Sequence, residues 1–70
     1  MDILKIRRIK SLILSSTSIE EADRIIRDNA NSSKIEDRIN FLKILFDSPS
    51  ISYVTDETLY GICLYSLINF

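Results

Sequence analysis

Apolar residues recur at helical spacing in three successive segments of this chain, and serine, asparagine or proline groups separate the segments. In a chain of 70 residues there is room for one core only. The apolar share of 46% excludes wholesale disorder. We therefore predict one all-α domain over residues 1–70, a compact antiparallel bundle of about four helices. The predicted helices lie near 3–14, 18–30, 33–47 and 55–69.

The first helix has an isoleucine stripe and a polar cap. At about 100° per residue, one arc of the helix contains Ile3, Ile6, Ile9 and Ile13. Asp2 is the predicted N-cap. Leu4 and Leu14 lie outside the stripe, so the core of a single domain does not account for them.

The second helix is the most regular amphipathic segment. Ser18 and Glu21 have the spacing of a capping box, and Asn29 or Asn31 is the predicted left-handed residue at the end. Two acid–base pairs at i,i+4 spacing, each with the acid first, are expected to stabilise the helix along its polar side: Glu20–Arg24 and Asp23–Arg27.

The third helix is expected to begin at a second capping box, formed by Ser33 and Glu36, and to stop before Pro49. Its wide apolar face and an off-face Ile44 suggest contact with more than one neighbour. Thr55 is the predicted cap of the last helix. Between these helices we expect a loop over residues 48–54 that packs on the bundle through Ile51, Tyr53 and Val54.

The last helix is apolar on every side from Leu59 to Ile68. Such a helix has either to be surrounded by the other three or to leave an adhesive surface. The first alternative places it centrally in the bundle. In the second, Tyr60, Leu64 and Ile68 meet a partner protein or a second copy, and Gly61 permits close backbone approach.

Charge is unevenly distributed although the net charge is only −1. Residues 1–14 carry four bases against one acid, a local charge of +3, whereas the chain from Ile44 onward carries three acids and no base. The bases Lys5, Arg7, Arg8 and Lys10 are candidate contacts for nucleic acid or for an acidic protein surface. On the helix they bracket the isoleucine stripe, which is also the ordinary arrangement of a solvated flank.

Residue types that carry most catalysis are missing. There is no histidine, and one cysteine can close neither a zinc site nor a disulfide. Cys63 lies in an apolar segment and is expected to be a buried small hydrophobe. The acid pairs 20–21 and 56–57 fall in first turns of helices, where capping explains them. We predict no catalytic residues, no metal, no cofactor and no small-molecule substrate.

The start of the chain lacks the pattern of a signal peptide, and the longest apolar stretch has ten residues, about half of a bilayer span. A soluble cytoplasmic protein without a membrane span is the expectation. We predict a small non-enzymatic protein that acts through protein–protein interaction, as an adaptor, inhibitor or accessory subunit, with a homodimer as one form. The alternative is a small nucleic-acid-binding accessory protein that uses its basic first helix.

Overall fold

The computed structural model describes residues 2–69, which form four α-helices and one 3-10 turn. The helices are α1 (Ile3–Leu14), α2 (Ile19–Ala30), α3 (Ile35–Phe46) and α4 (Glu57–Ile68), and the 3-10 turn is Ile51–Tyr53. No strand occurs in the part of the chain described. The predicted all-α bundle is confirmed, and each helix boundary lies within two residues of the prediction.

The first two helices begin at the predicted caps. The Asp2 carboxylate accepts from the Leu4 N–H at 3.3 Å, and the Ser18 hydroxyl accepts from the Glu21 N–H at 3.1 Å. In a capping box the Glu21 carboxylate would accept from the Ser18 N–H. Here it accepts instead from Thr17, one residue earlier, with the hydroxyl at 2.9 Å and the N–H at 3.2 Å. These two hydrogen bonds lower the pKa of Glu21.

The cap predicted for α3 is wrong. Lys34, not Ser33, occupies the N-cap position, and it makes no side-chain cap bond. Ser32 ties this turn together instead, because its hydroxyl accepts from the Lys34 N–H at 3.2 Å and donates to the Asp37 carboxylate at 2.7 Å. The serine that fixes the start of the helix therefore lies one residue before the predicted one and acts through a turn.

The cap predicted for α4 is also displaced by one residue. Asp56, not Thr55, is the N-cap, and its carboxylate accepts from the Leu59 N–H at 2.9 Å. At the opposite ends of α2 and α3, Asn31 and Asp47 have positive φ values of 55° and 34°. Asn31 was one of the two predicted left-handed residues, and it takes the place that glycine usually has.

The core lies where α2 packs against α1, α3 and α4. Its buried apolar side chains come from all four helices and from the connector: Ile9, Ile13, Ala22, Ile26, Ile39, Phe41, Leu42, Leu45, Ile51, Val54, Tyr60 and Leu64. Phe41 of α3 is part of this core.

The isoleucine stripe of α1 is narrower than predicted. Ile9 and Ile13 are buried, but Ile3 is 62% exposed. Ile3 lies about 100° around the helix from the midpoint between Ile9 and Ile13. Because α1 is oriented with Ile9 and Ile13 toward the core, Ile3 points outward. Leu4 and Leu14, which fall outside the stripe, are exposed.

The connector between α3 and α4 packs through two of its three predicted residues. Ile51 and Val54 are buried, whereas Tyr53 is 76% exposed. Residues at i and i+3 eclipse one another in a 3-10 turn, so Ile51 and Val54 share the inner side. Tyr53 is turned away from them and out of the core.

The last helix packs against α2 and α1 on one side only. Tyr60 and Leu64 are its buried residues, while Leu59, Ile62 and Tyr65 remain exposed. It therefore does not occupy the central position that its composition favoured, because the neighbouring helices cover one side of it and not its whole circumference. None of the helices within residues 2–69 has the length and apolarity needed to cross a membrane.

Candidate functional site

A cluster of charged and polar side chains around the buried Arg38 joins three helices. Arg38 of α3 is 4% exposed, and its Nη1 donates to Asp23 Oδ1 of α2 at 2.8 Å. The Tyr60 hydroxyl of α4 donates to the same oxygen at 2.6 Å. Asp23 Oδ2 accepts from Arg27 Nε at 2.7 Å, which confirms the predicted i,i+4 pair. Asp23 is thus the acceptor on which three donors converge.

Arg38 makes two further contacts with α4. Its Nη2 lies 3.4 Å from Glu57 Oε1, and its guanidinium carbon lies 5.0 Å from the centre of the Tyr60 ring. Its Nε is buried with no hydrogen-bond partner in residues 2–69. The side chain therefore bridges α3 to both α2 and α4.

The pKa values of Asp23 and Tyr60 are shifted away from neutral pH in opposite directions. Burial by itself would raise the pKa of Asp23, but the hydrogen bonds from Tyr60, Arg38 and Arg27 outweigh it and the pKa is lowered. Burial first, and then the hydrogen bond to Asp23, raise the pKa of Tyr60. At neutral pH Asp23 is ionised and Tyr60 protonated, so the cluster is suited to holding helices together and not to exchanging protons.

The sequence contains a signal for the Asp23–Arg38 pair that lies outside its recognisable motifs. Asp23 lies four residues after Ile19 and three before Ile26, at the edge between the apolar and polar sides of α2. Arg38 lies three residues after Ile35, on the apolar side of α3. Opposite charges on the facing stripes of two neighbouring helices predict a buried ion pair, since either charge alone would be costly to bury.

The predicted partner-facing residues do not form a surface. Tyr60 and Leu64 are 3% and 0% exposed and belong to the core, and Ile68 is half-buried against it. A Cβ on Gly61 would meet nothing within 4 Å, so no other helix within residues 2–69 approaches α4 closely there. Tyr60, Leu64 and Ile68 therefore contribute to the core of this bundle, and partner contact through them stays a prediction.

The other side of α4 forms an open apolar groove with the connector before it. We call it the α4 groove, and it has a volume of about 340 Å³. It is lined by Ser50, Ile51, Tyr53, Val54, Leu59, Ile62, Cys63, Ser66 and Leu67. Helix α4 and the 3-10 turn thus share one exposed hydrophobic surface.

The floor of the α4 groove consists of buried core residues, and its rim consists of exposed residues. Ile51 and Val54 are buried beneath it, while Tyr53 and Ile62 rise from it with 76% and 57% of their surface exposed. Cys63 is half-buried, and burial raises the pKa of its thiol, which therefore stays protonated and weakly nucleophilic. The groove offers shape and apolar surface rather than reactive groups.

The start of α4 is acidic. Asp56 is its N-cap and Glu57 its first residue, and both are exposed. Neither is among the residues that line the α4 groove, and Glu57 lies beside Arg38 on the Tyr60 side of the helix. After Lys43 the sequence contains no basic residue. The base paired with Glu57 is therefore Arg38 of α3, with Nη2 3.4 Å from Oε1.

The four candidate basic residues do not act as one patch. Lys5 and Arg8 project from one flank of α1, and Arg7 projects from the other; all three are exposed and none is among the ion pairs of residues 2–69. Lys10 is half-buried, with its Nζ 5.4 Å from the centre of the Phe46 ring. Lys10 therefore serves the packing of α1 on α3 and is not a free contact.

Comparisons with protein-family models, with curated proteins and with solved structures find no match for this chain. Within residues 2–69, no three His, Cys, Asp or Glu side chains are grouped so that they could hold a metal ion.

Proposed function

We propose that this protein is a small non-enzymatic helical module that acts by binding another polypeptide in the α4 groove, as an adaptor, inhibitor or accessory subunit. The observation that carries the proposal is the apolar groove itself. Its exposed walls, Tyr53 and Ile62, have no partner within the bundle. Contiguous exposed apolar surface on a small soluble domain is typical of binding sites.

The placement of the groove supports a binding role. One wall is a face of α4 and the other is the 3-10 turn, and both rest on buried residues, Leu64 beneath α4 and Ile51 in the turn. A site of this kind is formed before the partner arrives, so little ordering of the module opposes binding. An elongated apolar groove along a helix suits an amphipathic helix or an extended segment of the partner.

Site-directed photo-crosslinking in the native host tests the proposal. A photoreactive phenylalanine analogue replaces Ile62 in the groove, and in the control protein it replaces Glu20, an exposed residue on the polar side of α2. We expect a discrete protein adduct at position 62 and none at position 20. No adduct at either position, or equal labelling at both, contradicts the proposal.

Nucleic-acid binding through α1 is the second candidate. Lys5, Arg7 and Arg8 support it, because they are exposed and form no ion pair among the described residues. Their separation on two flanks of α1, with Leu4 between them, weakens the case for nucleic-acid binding. A gel shift whose affinity falls steeply between low and moderate salt is the expected result if this function holds. The absence of any shift at low salt would remove it.

A further inference from the structure

The outer side of α1 combines exposed leucines with arginines. Helices α2, α3 and α4 all contact α1, whose buried residues are Ile9 and Ile13. An arc of about 120° on the opposite side of the helix forms what we call the α1 surface. Its residues are Leu4, Arg7, Arg8, Ser11 and Leu14, and all five are exposed. Leu4 keeps 67% and Leu14 keeps 45% of its surface in contact with solvent.

The charge on this side of α1 is positive. Arg7 and Arg8 lie within the α1 surface and Lys5 lies at its border, and none of the three joins an ion pair within residues 2–69. No acid occurs in α1 itself. Asp2 lies beside Arg8 and is engaged as the N-cap of the helix. For α1 and its cap, three exposed bases against one acid leave a charge of +2.

Leucines among unpaired bases suit a membrane surface better than a nucleic acid. On a nucleic acid, Leu4 and Leu14 would lie against phosphates, and α1 has no aromatic residue on which a base could stack. On a bilayer with anionic headgroups the bases meet lipid phosphates, while the leucines enter the boundary between headgroups and acyl chains. The bilayer therefore uses both kinds of side chain on this surface.

The geometry of α1 also fits a flat partner. The helix has 12 residues, and Leu4 and Leu14 lie about 15 Å apart along its axis. Arg7 and Arg8 lie between the two leucines in the sequence. When α1 lies parallel to a plane, an apolar side chain touches that plane near each end of the helix, and the arginines touch it between them.

We propose that the α1 surface docks on bilayers that contain anionic phospholipids, with α1 parallel to the plane of the membrane. Leu4 and Leu14 enter the headgroup boundary, and Arg7 and Arg8 bind lipid phosphates. Attachment is weak and reversible, because two leucines and three bases supply it. The bundle stays folded, since its core lies on the other side of α1. The α4 groove is a separate surface, so this inference does not rest on the proposed function.

Tryptophan fluorescence tests the contact, because the chain contains no tryptophan and a single introduced one reports on one position. Leu4→Trp places it on the α1 surface, and the matched control Ile62→Trp places it on the exposed side of α4. Each protein is mixed with vesicles of phosphatidylcholine and phosphatidylglycerol at about 2:1, or of phosphatidylcholine alone. We expect a blue shift for Leu4→Trp with the mixed vesicles only, and no shift for Ile62→Trp with either.

Vesicle flotation of a second matched pair tests the charge. Arg8→Gln removes a base from the α1 surface, and Arg24→Gln removes an exposed base from the polar side of α2. On the mixed vesicles we expect Arg8→Gln to bind about fivefold more weakly than the wild type and Arg24→Gln to bind as the wild type does. Salt at about 0.5 M should release the wild type.

Three results would overturn the proposal. The first is no blue shift at position 4, or equal shifts at positions 4 and 62. The second is equal weakening in Arg8→Gln and Arg24→Gln. The third is a protein that shifts nucleic acid in a gel but binds neither kind of vesicle, which assigns α1 to nucleic acid. Circular dichroism of each variant verifies that the helices are retained. Crosslinking from position 62 tests the α4 groove separately, so either proposal can fail without the other.

Discussion

At the scale of single residues, the fold depends on a charge that lies among apolar side chains. Arg38 is almost fully buried, and its nearest counter-charge is Asp23, with Oδ1 2.8 Å from Nη1. Taking a guanidinium out of water is costly, and the carboxylate is what offsets that cost. The main effect of the pair is therefore to fix the relative orientation of α2 and α3, and its net contribution to stability is small.

Removing the carboxylate should be strongly destabilising. In Asp23→Ala the Arg38 guanidinium stays buried without its counter-charge, and the Tyr60 hydroxyl loses its acceptor. We expect the free energy of unfolding to fall by about 2–4 kcal/mol. Urea denaturation measures it, with Asp28→Ala as the control, because Asp28 is exposed on the same helix and makes no ion pair within residues 2–69. Equal, small losses in both variants would contradict a structural role for the cluster.

The same carboxylate makes the stability pH-dependent on the acid side. The pKa of Asp23 is lowered in the folded protein from its ordinary value of 3.8, so the unfolded chain binds the proton more readily. The stabilisation is present above that ordinary value and is lost as pH falls through the lower, folded value. We expect the stability difference between wild type and Asp23→Asn to shrink steadily below about pH 5. Thermal melts of both proteins from neutral pH downward measure it, and a constant difference would contradict the lowered pKa.

At the scale of the helices, sequence pattern predicted the existence and order of all four elements. Helical spacing and the serine and asparagine breaks are local signals, and α1 and α2 begin at the predicted Asp2 and Ser18. For α3 and α4 the sequence predicts Ser33 and Thr55, each a good cap by type, whereas the helices begin after Lys34 and Asp56. Cap propensity alone does not fix the first residue of a helix, because the backbone turn before the helix also decides it.

The start of α4 allows a direct comparison of two such neighbours. Asp56 caps the helix with a bond of 2.9 Å to the Leu59 N–H, while Thr55 lies one residue outside. Asp56→Ala should reduce the free energy of unfolding by about 1 kcal/mol, because a helix N–H loses its acceptor. Thr55→Ala should change it by less than about 0.5 kcal/mol. Chemical denaturation of the two variants measures this, and a larger loss for Thr55→Ala would show that the helix begins earlier.

At the scale of the whole molecule, the groove could not be predicted from the pattern of any one element. The excess apolar residues of α4 were visible in the sequence, but uniform hydrophobicity does not indicate which side faces the core. That choice depends on the two helices that α4 meets and on the Arg38 cluster that fixes its rotation through Tyr60. The other wall of the groove depends on the 3-10 turn Ile51–Tyr53, for which the sequence predicts only a loop.

The orientation of α4 makes two neighbouring apolar residues respond in opposite ways to the same substitution. Leu64 is completely buried, and a domain of this size has a total stability of about 4–10 kcal/mol. Leu64→Asp both removes core packing and buries a carboxylate, so we expect a loss of more than about 4 kcal/mol and a largely unfolded chain. Ile62 lies on the groove side with 57% exposure, so Ile62→Asp should keep the fold within about 1 kcal/mol. Far-ultraviolet circular dichroism and urea denaturation of the two variants measure this contrast. If Leu64→Asp folds and Ile62→Asp does not, α4 presents its other side to the core and the groove is not on the surface.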